Sequence, residues 1–231
     1  MVKKLWESLS GFERGLWAAS VITVTVSFAA SWLLSGRFDI LTLTASLIGV
    51  TALIFVAKGQ AAGQVLTVVF AVFYGIISFF FAYYREMITY LCMTAPIAIA
   101  TVVAWIKHPY DDGREVAVGK LSALNKVILA VSAAAVTMLF YFILKALGNA
   151  NLLVSTLSIT TSYTASYLTL FRSPYYAIAY ALNDIVLIVL WVLASMTDIA
   201  YVPMIFCFAA FLANDIYGFV NWRRMKKRQI G

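Results

Sequence analysis

The chain has 231 residues, of which 63% are hydrophobic, 15% aromatic and only 12% charged, and its mean hydropathy is +0.92. A soluble domain is about 45–50% apolar and about 25% charged, so an ordinary soluble enzyme, a disordered chain and a disulfide scaffold are excluded. The net charge of +7 would suggest nucleic acid in a soluble protein, but Arg223, Arg224, Lys226, Lys227 and Arg228 follow an apolar run directly and leave no basic stripe elsewhere. They read as a juxtamembrane anchor on an anionic leaflet, with the lipid bilayer as partner and no nucleic acid.

Crossing a hydrocarbon core about 30 Å thick takes about 20 apolar residues in a helix. Eight segments fit: 15–34, 40–57, 65–84, 87–106, 127–147, 152–171, 175–196 and 202–222. Apolar runs of this length satisfy their backbone only as helices, so an all-α polytopic membrane protein with eight transmembrane helices and no strands is predicted. Lys3 and Lys4 give a basic start, but the first apolar run begins late and is too long for a cleaved signal, so it is read as a retained helix.

With the N-terminus in the cytoplasm, every Lys and Arg falls on the inner side except Arg37, Arg85 and Lys145. A seven-span chain would scramble this asymmetry. The expectation is a multi-pass protein of the plasma membrane with both termini cytoplasmic.

The longest connection, 107–126, holds His108, Pro109, Asp111, Asp112 and Gly113 and reads as a solvated loop with a turn. Its Gly113…Gly119-Lys120 resembles a phosphate-binding loop only faintly. One residue too many separates the glycines, and Leu121 stands where a magnesium-binding Ser/Thr is needed. His108, the only histidine, sits at a membrane boundary and reads as interfacial, as do Trp6, Trp105 and Trp222. Cys92 and Cys207 lie in apolar runs as packing residues. No nucleophile or metal constellation is present, so neither an enzyme nor a metal or cofactor site is predicted.

Two halves resemble each other. Spans two and six end at Lys58 and Arg172, spans four and eight at Trp105 and Trp222, at nearly constant offset, and the last helix of each half carries a proline, Pro96 or Pro203. Parallel repeats of this kind are a transporter plan. The predicted organisation is an N-terminal region with an extra helix (1–39), a first three-helix repeat (40–106), a cytosolic loop and linker helix (107–151), a second repeat (152–222) and a basic tail (223–231).

Polar groups deep in a bilayer are costly and therefore functional candidates. The acids well inside spans are Asp184 and Asp215, each after an asparagine, Asn183 and Asn214. Each asparagine lies eight residues from the inner end of its span, about 12 Å along the axis. Tyr180 and Tyr217 stand one turn from these amides and Trp191 two turns from Asn183. Span six is rich in Ser and Thr and places Tyr163 at the same level. Amides, aromatic faces and carboxylates suit a flat, neutral or cationic ring bearing hydroxyls, such as a nucleoside.

These residues resemble the PnuC family of vitamin transporters, best known for its nicotinamide riboside branch. The resemblance covers spans two to eight. It rests on Ala57-Lys58-Gly59, Tyr74, Tyr84-Arg85-Glu86-Met87, Pro96, Trp105 with His108, Asn183, Trp191, and Asn214-Asp215-Ile216-Tyr217-Gly218-Phe219-Val220-Asn221-Trp222-Arg223. It implies a 3+1+3 core similar to the SWEET transporters, here with one extra N-terminal helix. It also implies facilitated diffusion with metabolic trapping, and a substrate-facing role for Asn183, Asn214 and Tyr217. Pro96-Ile97-Ala98 stands where the nicotinamide riboside branch carries Pro-Met-Gln. The predicted function is facilitated uptake of nicotinamide riboside or a related ribosylated or aromatic vitamin by alternating access, at Asn183, Asp184, Asn214, Asp215, Tyr217, Tyr163, Tyr180, Trp191 and Tyr74. The alternatives are a deoxynucleoside, thiamine or riboflavin, and coupling to protons. Assembly into a homo-oligomer is left open.

Overall fold

The computed structural model describes residues 2–80, 84–110, 113–149 and 151–230, with side chains for all of these but 2–4, 85 and 230. A short helix α1 (Val2–Ser8) leads into α2 (Gly11–Ser35), α3 (Ile40–Ala57) and α4 (Ala61–Phe80). The next crossing is composite: α5 (Tyr84–Ile88), a π-helical segment (Thr89–Thr94) and α6 (Ala95–Ile106). Then come α7 (Ala123–Ala146), α8 (Leu152–Leu170), α9 (Tyr176–Ser195), a 3-10 turn (Ile199–Tyr201) and α10 (Val202–Ile230), which carries the basic tail as helix.

Among the described residues, seven helices are long and apolar enough to cross a membrane. The expected sixth span forms as α8 but is not one of them, because its surface is largely hydroxyl. Thr156, Thr160, Thr164 and Thr169 each return the hydroxyl to a carbonyl four residues back, at 2.7–3.0 Å. That internal bonding lets a polar helix be buried without exposing free donors.

Local sequence explains the ends. Ser10 and Glu13 make a reciprocal capping box at the start of α2, and Asp39 and Ser122 cap α3 and α7. The fourth crossing is broken by Pro96. A proline has no N–H and its ring crowds the carbonyl four residues earlier, here Cys92, so the preceding turn widens and the Ala95 N–H bonds to Tyr90 O, five residues back.

α10 packs against α9, α3 and α2; α8 lies against α7, α9 and α6. α7 is peripheral and buries only Phe140 and Leu144. Large apolar side chains on the outer faces, such as Ile22, Phe79 and Leu139, are exposed, as a lipid-facing surface requires and a soluble one would not tolerate.

Two expectations change at the end that carries the helix junctions Lys58, Lys107 and Arg172. The connection after α6 is not purely solvated loop. It forms a two-residue antiparallel pair, β1 (Pro109–Tyr110) with β2 (Glu115–Val116). Gly113 takes φ +79° in the turn; Asp111 and Asp112 lie outside the described residues. From there the chain runs as a strap under the bundle. Val116 N–H donates to Gly59 O, Gly119 N–H to Arg172 O, and Val118 N–H to the Gln229 side chain, at 2.9, 2.9 and 2.7 Å. Helix C-termini leave carbonyls without intrahelical donors, and the strap supplies donors beside two of them.

Trp105 and Trp222 are core residues rather than interfacial aromatics, only 2% and 0% exposed. The Trp105 indole N–H donates to Thr169 O at the end of α8, and that of Trp222 to Val56 O at the end of α3, both at 3.0 Å. A buried indole needs an acceptor, and the final turns of these helices provide one.

Candidate functional site

A cavity of about 340 Å³ lies between α3, α4, the π-helical segment, α8, α9 and α10. Its α9 wall is Tyr180, Asn183, Asp184, Leu187 and Trp191, the spacing of one helical stripe. Phe208, Phe211 and Asp215 face it from α10. Gly49 on α3 makes room for Phe211: a Cβ there would stand 2.6 Å from the ring.

The Asn183 carbonyl oxygen accepts hydrogen bonds from the hydroxyls of Thr161 (2.9 Å) and Ser158 (3.3 Å) on α8. Its orientation is thereby set, and its N–H donors are the part of the amide left for a guest. The Tyr180 hydroxyl shares a hydrogen bond with Ser166 at 3.0 Å. Asp184 and Asp215 bring their carboxyl groups into hydrogen-bonding contact with each other. Both are nearly fully buried, and Asp184 Oδ2 has no donor partner.

Opposite the acids, Phe70, Tyr74 and Tyr90 form an aromatic cluster with ring centroids 4.8–5.8 Å apart. Tyr90, with Thr89 and Thr94, is set by the π-helical turn that Pro96 imposes. Toward the ends remote from the strap the lining continues through Glu86, Asn149, Asn151 and Trp191. At the strap end it stops near Val56, beyond which Trp105, Trp222 and Tyr176 are packed solid. Among the described lining residues, none is basic.

Six of the nine predicted site residues thus line one cavity: Tyr74, Tyr180, Asn183, Asp184, Trp191 and Asp215. Three do not. Asn214 donates to Ser20 Oγ of α2 and to Ala210 O, at 2.9 and 2.8 Å, and its own Oδ1 is buried without a partner. The Tyr217 hydroxyl donates to Glu13 Oε1 at 2.7 Å, and Glu13 pairs with Lys58 at 2.8 Å. Tyr163 packs with Met93, Phe140 and Ile159 on the α7 side. Neighbouring residues on a helix point about 100° apart. When Asp215 turns toward α9, Asn214 must turn away, and it meets α2. The matched depth of the two Asn-Asp pairs brought the acids together and sent the amides to different partners.

Sequence reasoning missed Tyr90, Phe70, Gln64 and Glu86. Gln64 is buried to 4% exposure on α4, but it stands one residue before the predicted span 65–84, so the rule for intramembrane polar groups did not reach it. Only the earlier start of α4 at Ala61 brings it into the bundle.

Residues 39–224 match the model of the family described as nicotinamide mononucleotide transporter. The chain belongs to this family, that of PnuC. It is 26% identical over 206 residues to the nicotinamide riboside transporter PnuC of Neisseria mucosa, covering 87% of this chain and 75% of that one. To its namesake in Haemophilus influenzae it is 25% identical over 191 residues, 81% of each chain. The crystal structure of the vitamin B3 transporter PnuC superposes with a TM-score of 0.76 over 96% of this chain and 94% of that one, at 21% identity, and so shares the fold. As a PnuC family member the chain is a multi-pass membrane transporter and not an enzyme. The family match begins at residue 39 and leaves α2 outside it, the helix to which Asn214 and Tyr217 are bonded.

Proposed function

We propose that this PnuC-family chain carries nicotinamide riboside, or a closely related ribosylated aromatic vitamin, by facilitated uptake across the plasma membrane. The observation that carries the reading is the cavity lined by Asn183, Asp184, Asp215, Tyr180 and Trp191. It offers amide donors and carboxylates to a hydroxylated ring and aromatic faces to stack on it. Its volume is at the low end of the roughly 300–1,000 Å³ usual for small-molecule pockets. That favours a single nucleoside or thiamine over the bulkier riboflavin. The names of the relatives favour nicotinamide riboside among these.

In this reading α8 also crosses the membrane, as the sixth of eight spans. α3, α4 and α5–α6 form one triplet, α8–α10 the other, α7 is the linker, and α2 is an added helix. The bonds of Trp105 to the first helix of the second triplet, and of Trp222 to the first helix of the first, support a pseudo-twofold pairing of this 3+1+3 kind. Both termini are cytoplasmic, so the packed strap end faces inward and the lining around Glu86 and Asn151 faces out. Rocking of the triplets exposes the site to each side in turn, and phosphorylation in the cell traps the vitamin.

The test is a calorimetric and thermal-shift panel on the purified chain with nicotinamide riboside, thiamine, riboflavin and deoxynucleosides. A ligand at about 100 times its Kd stabilises the native state by about 2.7 kcal/mol. Stabilisation by nicotinamide riboside is the expected result; a response to thiamine or a deoxynucleoside alone would transfer the reading to that solute.

A further inference from the structure

We propose that the Asp184–Asp215 couple is a shared proton and cation site: a guest with a positively charged ring displaces one proton from the couple when it enters the cavity. The inference rests on the binding cavity proposed above and assigns the charge logic of that same site.

The geometry carries it. The two carboxyl groups touch across the α9–α10 interface, are 3% and 4% exposed, and line the cavity. Asp184 Oδ2 meets no donor from the protein. No lysine, arginine or histidine stands among the described lining residues to neutralise them, and Glu86 adds a third acid toward the mouth. Two touching carboxylates at a low-dielectric site repel too strongly for both to stay ionised unaided. The empty couple therefore holds one proton and carries one negative charge. A cationic guest brings its own positive charge, the proton leaves to water in the cavity, and the loaded site again carries a net single negative charge. The exchange is electroneutral. Aromatic faces at Trp191, Tyr90 and Tyr180 are of the kind that hold a flat cation.

The other titratable groups facing the couple are Tyr180 and Tyr176 on α9, Tyr90 on the π-helical segment, Tyr74 on α4 and Cys207 on α10, with Glu86 toward the mouth. Phenols and thiols stay neutral between about pH 5 and 7.5, which leaves the couple and Glu86 to be separated by mutation.

The full purified chain is titrated calorimetrically between about pH 5 and 7.5 with two cations, nicotinamide riboside and thiamine, and two neutral probes, benzamide riboside and thymidine. Buffers of differing ionisation enthalpy count the protons. A bound cation is expected to release about one proton, and its affinity to rise about tenfold per pH unit while the couple is protonated. Neutral probes are expected to bind without proton release. Asp184→Asn and Asp215→Asn should each abolish the release, while Glu86→Gln should keep it; a monodisperse size-exclusion profile and a wild-type helical circular-dichroism spectrum certify a folded variant. Should a variant not fold, the wild-type proton count stands as the test. Proton release with thiamine but no binding of nicotinamide riboside would sink the vitamin assignment and leave the couple intact. Cation binding without proton release, or binding of neutral probes alone, would overturn the couple. Silence from all four probes would overturn both.

Discussion

Trp105 and Trp222 lie with ring centroids 5.4 Å apart, and each reaches past the other to bond the final turn of a helix from the opposite half of the chain. Between them they close the strap end of the bundle. Replacing either by Phe removes one buried hydrogen bond and part of a packed ring, at a cost of about 1–3 kcal/mol. The Tyr176 hydroxyl also donates to Val56 O, at 3.4 Å, so Trp222→Phe should be the milder of the two. Thermal unfolding of the two variants in one detergent tests this order.

Asn214 and Tyr217 are expected to anchor α2 rather than to bind the guest. Tyr217→Phe and Asn214→Ala should each lower stability by about 1–3 kcal/mol, through lost bonds to Glu13 and Ser20. Ligand affinity, read by calorimetry, should stay within about twofold of wild type. A tenfold loss of affinity in either would return that residue to the cavity wall.

The strap allows no side chain at Gly119, where a Cβ would overlap the Phe171 carbonyl oxygen. A backbone atom cannot step aside as a flexible side chain can. Gly119→Ala should cost about 1–3 kcal/mol and release the strap. The readout is faster hydrogen exchange at the Val116, Val118 and Gly119 amides, with new tryptic cleavage at Lys120.

At the opposite end, Arg37 holds Asp198 through bonds of 2.7 Å to both carboxylate oxygens. The Ala200 N–H and this guanidinium keep the Asp198 carboxyl below the usual carboxylate range. A depressed acid contributes stability that is full above its unfolded value, about 3.9, and is lost as pH falls through the lower folded value. The contribution of this pair to the wild-type melting temperature should be constant between about pH 5 and 8. Asp198→Asn should flatten only the acid limb of the profile.

Much of the architecture was legible because lipid imposes a simple grammar. Seven of the eight expected spans meet the length and apolarity of a crossing, and the remaining one, the sixth, forms where expected as α8 despite its hydroxyls. The boundaries moved by several residues; 65–84, for example, became Ala61–Phe80. Pro96 was visible in the sequence, but the π-helical turn before it was not, since a proline can also kink a helix without widening it. Trp105 and Trp222 were misread because an aromatic at a span end has two fates, headgroup or core, with the same local sequence.

The site divides along the same line. Costly acids at matched depth on two adjacent spans identified Asp184 and Asp215, and the helical stripe from Tyr180 to Trp191 came with them. Depth says nothing about azimuth. Which way Asn214, Tyr217 and Tyr163 point depends on the rotation of their helices against α2 and α7, and that rotation is settled by contacts far apart in the chain.

By itself, then, the amino-acid order determined that this is a bundle of membrane helices with a buried polar couple, because hydropathy, helical rise and the cost of charge in lipid are local quantities. Only the tertiary structure decided which polar groups share one cavity, which of them fasten α2, and that the loop after α6 is a strap. Those outcomes depend on how helices rotate and pack against partners distant in sequence, and no local quantity encodes that.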